Sequence, residues 1–235
     1  LFLTYKKNTI KVIKKSGFPA IVAGLFLSLS FVAYVVAMSK TTVANVVFII
    51  STQTIFLALF GFLFLKEKIT FKGLIAITLA FVGMLVMVGD SINQGTLFGN
   101  IVAFAIPINF TILVMIIRKF PDLDMVPAIF YSGIFSGIYG LLLASNLTFS
   151  SNDVLMGFLL GVPQLAFGFI CVTIGTKTTK AVTVGLLMLL ETIFAPIWVW
   201  IFLNEVPPIS VFMGGAIIIS AVILKSFDKS PKISD

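Results

Sequence analysis

The sequence contains no histidine, a single cysteine and few charged residues. Charged residues make up 11% of its 235 positions, whereas apolar residues make up 59%, and the mean hydropathy is +1.17. Without histidine, and with Cys171 alone in an apolar run, a disulfide framework and a histidine-based metal site are excluded. Soluble globular proteins contain about 25% charged residues. The composition therefore indicates a membrane protein.

Eight apolar stretches follow one another along the chain, separated by turn-forming and charged residues. A membrane-crossing helix needs about 20 apolar residues for a hydrocarbon core of about 30 Å. The stretches predict eight complete transmembrane helices, at residues 18–38, 43–65, 74–88, 97–117, 125–144, 154–174, 181–203 and 209–224. An apolar stub at residues 1–5 is too short to cross a bilayer, and we interpret it as the tail of a further helix.

The net charge of +7 arises from lysines clustered between the apolar stretches. This placement indicates membrane topology and not a nucleic-acid partner. If the lysines of residues 6–15 lie in the cytoplasm and the chain alternates sides at each helix, every lysine and arginine except Lys40 is cytoplasmic. The pattern predicts a multi-pass protein of the cell (inner or plasma) membrane with a cytoplasmic carboxyl terminus.

An internal repeat relates the two parts of the chain by a shift of 138 residues. The segment Thr-Ile-Phe at 54–56 recurs at 192–194, and Glu67 falls on Glu205. Five helices make one repeat, and an odd number of crossings places the two copies in opposite orientations. The stub at residues 1–5 matches the end of a second helix, so we expect the first helix and most of the second to be missing.

The repeat and the topology divide the chain into four predicted segments. Residues 1–16 are the end of a truncated helix and a cytoplasmic basic loop, and residues 17–89 are the remainder of the first repeat, with three helices. Residues 96–228 are the second repeat, with five helices, and residues 229–235 are a cytoplasmic tail. The basic loop could bind anionic lipid, but an ordinary positive loop on the cytoplasmic side is the preferred interpretation.

Two inverted five-helix repeats, each with an apolar run that ends in a glutamate loop, resemble the EamA-like branch of the drug/metabolite transporter superfamily. The resemblance covers the whole chain, and its most specific elements are the paired segments 54–70 and 192–208. Residues 65–70 are similar to the family's ending of leucine, glycine, glutamate, basic, apolar and Thr/Ser residues, with Lys66 in place of the glycine. Residues 189–192 resemble its Leu-Glu-Pro motif, with threonine at the proline position.

This resemblance implies an all-α membrane protein with a ten-helix inverted-repeat (5+5) transporter fold. It further implies a secondary carrier that exports amino acids, metabolites or toxic compounds, although uptake remains possible and the substrate does not follow from the fold. We expect a small-molecule substrate and the lipid bilayer as partners. A homodimer is possible, since Gly133–Gly137 and Gly157–Gly161 fit small-residue packing either within the bundle or between two copies.

Other classes of function are less compatible with the sequence. No glycine-rich phosphate loop is present, so the energy source would be an ion gradient or the substrate's own gradient. The lack of histidine and the isolated cysteine argue against most intramembrane catalytic sites. We expect no enzymatic activity, no cofactor and no metal. A non-transporting membrane scaffold and an intramembrane enzyme are the alternative functions.

Polar side chains in the middle of the predicted helices are candidates for a transport site, because polar groups in lipid are costly. Three of them lie near a proline, which interrupts the helix and frees carbonyls that could line a polar cavity. These prolines are Pro107, Pro163 and Pro196. The predicted substrate and ion pathway consists of Glu191, Gln164, Asn109, Gln53, Asn45, Tyr131 and Ser28.

Glu191 is the only acid predicted near the membrane midplane, and no lysine or arginine lies at its depth. The repeat places Gln53 opposite it. We predict that Glu191 exchanges protons or balances a cationic substrate; the alternative is a protonated glutamate that hydrogen-bonds between helices. Glu67 and Glu205 end their helices at opposite membrane faces, and we predict helix capping or loop pairing for both.

Overall fold

The computed structural model describes residues 9–88, 96–144, 148, 150–204, 206 and 208–227. The predicted stub at residues 1–5 and the tail at 229–235 lie outside the described residues. The all-α membrane class is confirmed. The helices are α1 (Thr9–Lys40), α2 (Val43–Ser51), α3 (Gln53–Leu65), α4 (Phe71–Val88), α5 (Leu97–Lys119), α6 (Pro127–Leu143), α7 (Ser151–Leu159), a π-helical segment (Leu160–Ala166), α8 (Phe167–Thr176), α9 (Ala181–Met188), α10 (Leu190–Leu203) and α11 (Ile209–Ser226).

Each of the eight predicted apolar stretches corresponds to one helix or to a run of helices joined without a loop. Helices α2 and α3 join at Thr52, helices α9 and α10 join at Leu189, and the π-helical segment connects α7 to α8. Within the described chain, 6 such runs are long and apolar enough to cross a membrane, and the apolar segments Phe71–Met87 and Pro127–Leu143 are shorter. The chain is therefore a multi-pass membrane protein.

The first helix begins earlier than the sequence predicted. The sequence predicts a basic loop at residues 9–16, but helical structure starts at Thr9 and continues until Gly17. Gly17 has a φ of 59° and a ψ of −156°, a conformation that glycine adopts without a side-chain clash. The basic segment is thus a short helix that leads into the membrane span.

The helix bounds follow the 138-residue shift. The shift carries α4 onto α11 at both ends. Lys66 and Asn204 are also 138 residues apart, and both have a φ of 55°; they are the non-glycine residues with positive φ in the described ranges. Each follows the last residue of a helix, α3 or α10, and turns the chain in a left-handed conformation. These coincidences support the duplication.

The chain forms two compact units, each with segments from both predicted repeats. The first unit comprises Leu1–Val32 and Ile112–Thr179, and the second comprises Ala33–Thr111 and Lys180–Asp235. Helices α1 and α5 contribute residues to both units. The predicted repeat boundaries at residues 89 and 96 are derived from the duplication in the sequence. The boundaries of the compact units lie at other positions.

Helices α4 and α11 pack closely in the second unit. A Cβ atom built on Gly214 would lie 2.4 Å from the carbonyl oxygen of Gly83, and one built on Gly83 would lie 2.8 Å from the carbonyl oxygen of Gly214. The 138-residue shift relates this glycine pair to Ala76 and Ala221. Both alanines are fully buried in one apolar cluster. The helices thus approach each other through small residues along this contact.

The other predicted small-residue positions do not make such contacts. A Cβ atom on Gly133, Gly137, Gly157 or Gly161 would meet nothing within 4 Å. The prediction that these glycines mediate helix contacts inside the bundle is therefore wrong for the described chain. Spacing alone could not identify the face of each helix that meets a neighbour. The homodimer stays a prediction.

We predict that Gly214→Ala destabilises the protein by about 1–3 kcal/mol, as overpacking typically does. The added methyl group would meet backbone atoms of Gly83 and Met87, which cannot rotate away. Thermal unfolding of the purified protein in detergent measures the loss. Gly137→Ala is the matched control, and it should be neutral or stabilising by up to about 1 kcal/mol, since alanine favours helix. Equal unfolding midpoints for the two variants would contradict the contact.

Candidate functional site

Glu191 lies in the first turn of α10, directly after an interruption in the middle of its membrane span. At this point the hydrogen bonding tightens, because the Thr192 N–H donates to the Leu189 carbonyl, three residues back, at 3.2 Å. Such a change inside a helix is common at functional positions. The Glu191 side chain is exposed at the protein surface. The predicted acid therefore lies beside a local change in hydrogen bonding within a helix that continues through Leu189.

Gln53 occupies the corresponding place in the first repeat. It begins α3 directly after Thr52, where the Thr52 N–H donates to the Ile49 carbonyl at 3.1 Å and the Ile55 N–H donates to the Thr52 carbonyl at 2.9 Å. Gln53 is 5% exposed, in contrast to Glu191. The two repeats thus have similar interruptions. The interruption in the second repeat carries the exposed acid Glu191, and the one in the first carries the buried amide Gln53.

A small recess lies at the level of the two interruptions in the second unit. It has no room for a water molecule. The hydroxyl oxygen of Thr54 is buried there without a hydrogen-bond partner among the described residues. Thr54 is not among the site residues that the sequence predicted, although its alignment with Thr192 was a signal. The lining residues are Ser51, Thr54, Ile55, Ile77, Ala80, Phe81 and Leu189.

Tyr34 is a second residue that the sequence analysis missed. It belongs to α1 and lies close enough to Glu191 for the carboxylate charge to act on its phenol group. The available signal was the polar end of Tyr34 within the apolar stretch 18–38. Its proximity to Glu191 could not be read from the sequence because the two residues are far apart in the chain.

Asn45 forms a polar cluster at the ends of α1, α2 and α5. Its amide nitrogen donates to Thr41 Oγ1 at 3.0 Å and to Asn100 Oδ1 at 3.1 Å, and the Thr41 hydroxyl donates to the same Asn100 oxygen at 2.7 Å. The Thr42 hydroxyl accepts from the Asn45 N–H and caps α2. These bonds hold the helix ends together, and the pathway role of Asn45 stays a prediction.

Asn109 is half-buried on α5, two residues after Pro107. The helix continues past the proline, which cannot donate a hydrogen bond to the carbonyl four residues earlier, that of Ala103. The Thr111 hydroxyl donates to the Pro107 carbonyl at 2.7 Å in a buried position. The proline therefore alters backbone pairing near Asn109, as the sequence predicted, without ending the helix.

Three predicted pathway residues belong to the first unit. Gln164 is exposed and lies in the π-helical segment, next to Pro163. Ser28 is fully buried, and its hydroxyl donates to the Leu25 carbonyl of the same helix at 2.7 Å. Tyr131 is half-buried, and its Cβ atom would lie 2.6 Å from a Cβ atom built on Gly24. The π-helical geometry makes Gln164 the strongest candidate of the three.

Glu67 caps a helix from the other repeat. It is 9% exposed, and its Oε2 accepts a hydrogen bond of 3.0 Å from the N–H of Ala181, the first residue of α9. The left-handed turn at Lys66 directs the chain back, so that the Glu67 N–H donates to the Gly61 carbonyl at 3.0 Å. This geometry supports the predicted capping role of Glu67. Glu205 lies outside the described residues.

Arg118 has a structural role that the sequence analysis did not predict. Its guanidinium donates to the carbonyl of Thr176 at 3.4 Å and to that of Thr179. These carbonyls lie at and beyond the end of α8, where helix carbonyls lack partners within the helix. From the sequence, Arg118 is only one of the basic residues predicted to lie on the cytoplasmic side. Its hydrogen bonds depend on the folded arrangement of α5 and α8.

Contacts between helix ends agree with the predicted alternation of membrane sides. A Cβ atom on Gly73, near the start of α4, would lie 3.5 Å from Nζ of Lys225, near the end of α11. A Cβ atom on Gly99, near the start of α5, would lie 2.7 Å from the backbone of Lys40. The lysine count placed each pair of ends on one side. Which side is cytoplasmic stays a prediction.

The described residues contain no group of three or more histidine, cysteine, aspartate or glutamate side chains that could hold a metal ion. The candidate residues are divided between the units. Gln53, Asn109, Asn45 and Glu191 belong to the second unit, whereas Ser28, Tyr131 and Gln164 belong to the first. Within the second unit, the structure brings Glu191 near Tyr34 and places the recess beside the helix interruptions.

Comparison with known proteins identifies related sequences and a related fold. The profile of the EamA-like transporter family matches residues 1–89 and 95–227. An "Uncharacterized transporter" of Methanothermobacter thermautotrophicus is 28% identical over 209 residues, which is 81% of this chain and 59% of the relative's length. An "Uncharacterized transporter" of Clostridium kluyveri is 24% identical over 222 residues, 89% of this chain and 70% of that relative.

A protein of known crystal structure superposes on this chain with a TM-score of 0.70. The superposition covers 93% of this chain and 91% of the other, at 13% sequence identity. At this identity the likeness concerns the fold alone. The ten-helix type of fold that the sequence indicated is consistent with these matches.

We predict that Glu67→Ala destabilises the folded protein by about 1–3 kcal/mol, because it leaves the buried Ala181 N–H without an acceptor. Thermal unfolding in detergent measures the change. Glu67→Gln retains an acceptor oxygen and should lose less stability. Asp122→Ala removes an exposed acid and should leave the unfolding midpoint unchanged. A Glu67→Ala variant as stable as the wild type would contradict the capping role.

Proposed function

Because the chain belongs to the EamA-like transporter family, we propose that it forms part of a secondary carrier for a small metabolite, such as an amino acid or a drug-like compound. The carrier moves this substrate outward across the cell membrane, with the carboxyl terminus of the chain in the cytoplasm. Transport proceeds by alternating access around polar groups near the midplane. Family membership and the relatives described as transporters support this proposal.

The repeated helix interruption at Gln53 and Glu191 is the observation that supports the site most directly. Broken membrane helices place backbone groups and helix ends near the midplane, where carriers bind substrates and ions. Glu191 lies two residues after the interruption at Leu189. The apolar surroundings favour the neutral acid. Contact with water when the site opens would favour the ionised form, so we propose that the carboxyl group exchanges a proton as access alternates.

Tyr34 contributes a hydroxyl group to the proposed site. Its phenol lies within electrostatic reach of Glu191, in the same compact unit. We propose that the hydroxyl approaches the Glu191 carboxylate during transport and donates to it while Glu191 is ionised, and that it binds a substrate oxygen or nitrogen when Glu191 is protonated. The recess beside Thr54 is the space that we propose to widen during transport. Its unpartnered hydroxyl would then reach water or substrate.

A thermal-shift screen of metabolites against the purified full-length protein should identify the substrate class. A ligand at about 100 times its Kd stabilises the folded protein by about 2.7 kcal/mol. We expect the stabilisation by a true substrate to shrink in a Tyr34→Phe variant, which lacks the hydroxyl group. Asp122→Asn is the control, since Asp122 is exposed in a turn. A folded protein that binds none of the metabolites and transports none would favour the scaffold function.

With that substrate, Glu191→Gln should abolish flux driven by a pH gradient in liposomes. The amide is nearly isosteric but cannot exchange a proton, so exchange of labelled for unlabelled substrate without a gradient should persist. Asp122→Asn should behave as the wild type in both assays. Unchanged pH-driven flux in the Glu191→Gln protein would overturn the coupling role, whereas loss of both activities would indicate a role in substrate binding.

A further inference from the structure

The first eight described residues form a short helix with one basic face. Lys11, Lys14 and Lys15 are exposed, and their spacing of three and four residues places them on one side of the helix. Ile10 lies beside them and is 69% exposed. On the opposite side, Ser16 is buried, and its hydroxyl donates to the Ile13 carbonyl at 2.8 Å. The helix therefore turns its lysines away from the protein.

Gly17 separates this basic helix from the membrane span that follows. Its φ of 59° and ψ of −156° lie in a region that is essentially restricted to glycine. A Cβ atom there would have room, since its nearest neighbour, Cδ of Pro19, is 3.8 Å away. Backbone conformation and not space therefore requires the glycine. Pro19 cannot donate to the carbonyl of Lys15, so the interruption is fixed by two residues in succession.

Within the described residues, no acidic side chain pairs with the lysines of this face. No aspartate or glutamate occurs in the first 66 residues of the sequence, and the first acid is Glu67. Across the part of the chain that the structure describes, no ion pair involves Lys11, Lys14 or Lys15. These charges must therefore be balanced either by small ions or by a partner that carries negative charge.

We propose that residues 9–18 form a docking surface for anionic phospholipid headgroups of the membrane that contains the protein. Lys11, Lys14 and Lys15 bind the headgroup phosphates, and the exposed side chains of Ile10 and Phe18, at 69% and 74%, contact the outer part of the acyl chains. The break at Gly17 lets the basic helix depart from the axis of the span. Anionic membrane surfaces attract basic residues that flank a membrane helix. This binding is independent of the proposed transport activity.

Lipid binding can be measured on the full-length protein in mixed micelles with equal amounts of phosphatidylglycerol and phosphatidylcholine. Native mass spectrometry counts the bound lipids of each kind. The wild type should retain phosphatidylglycerol preferentially. The triple variant Lys11→Gln, Lys14→Gln, Lys15→Gln should lose this preference, since each lysine contributes about fivefold in affinity near an anionic surface. A loss of at least about tenfold is the expected result.

A matched variant removes the same charge without touching the basic helix. Lys68, Lys72 and Lys119 are exposed, lie on the same predicted side and do not share a helix face. The triple glutamine variant at these positions should keep the preference for phosphatidylglycerol. Lys11→Arg, Lys14→Arg, Lys15→Arg preserves the charge and should also keep it. If the glutamine variant fails to fold, the preference for phosphatidylglycerol is compared between the arginine variant and the wild type.

Two further measurements separate a built surface from general charge attraction. Gly17→Ala keeps every lysine but disfavours the break, and it should weaken phosphatidylglycerol binding. Raising the ionic strength from 0.01 M to 0.15 M shortens the Debye length from about 30 Å to about 8 Å and should reduce the wild-type preference. Equal retention of the two lipids by the wild type would overturn the proposal. So would equal losses in the two glutamine variants, or loss of the preference in the arginine variant.

Discussion

Backbone hydrogen bonding in the hydrocarbon core constrains every part of this chain that crosses it. An unpaired N–H or carbonyl group costs several kcal/mol in lipid, so a spanning segment must pair these groups internally as a helix. Helix ends and interruptions are then the places where other groups are needed. Glu67 supplies an acceptor for the start of α9, and Arg118 supplies donors for the end of α8. The interruptions at Thr52 and Leu189 are the places where backbone pairing changes inside a span.

The two repeats keep the same helix bounds but use different side chains at equivalent positions. The start of α2 is capped by the hydroxyl of Thr42, whereas the start of α9 is capped by Glu67 from another helix. Lys66 and Asn204 turn the chain in the same left-handed conformation. At the two interruptions, Gln53 is buried and Glu191 is exposed. The two repeats therefore share backbone geometry, whereas their side chains make the two halves chemically unequal.

Helices α4 and α11 approach closely because small residues lie at their contact, and such packing drives helix association inside a membrane. Lipid chains are as apolar as leucine, so helices associate there through close packing, which small residues permit. Gly83 and Gly214 bring the two backbones together, and Ala76 and Ala221 occupy the related positions under the repeat. Gly133 and Gly137, four residues apart on α6, face open space. Spacing identifies a helix face that can pack closely. The fold decides whether another helix packs against that face.

The sequence by itself determined the membrane class, the eight apolar segments and the 138-residue register, because each depends on local composition or on similarity along the chain. It also identified Glu191 as a candidate residue and showed that three of the candidate polar residues have a proline nearby. Only the tertiary structure placed Tyr34 near Glu191, joined Glu67 to Ala181, and directed Arg118 to the carbonyl of Thr176. It also showed that residues 9–16 are helical up to Gly17. The tertiary contacts join residues far apart in the chain, and they depend on which helix faces meet, which hydropathy and spacing do not specify.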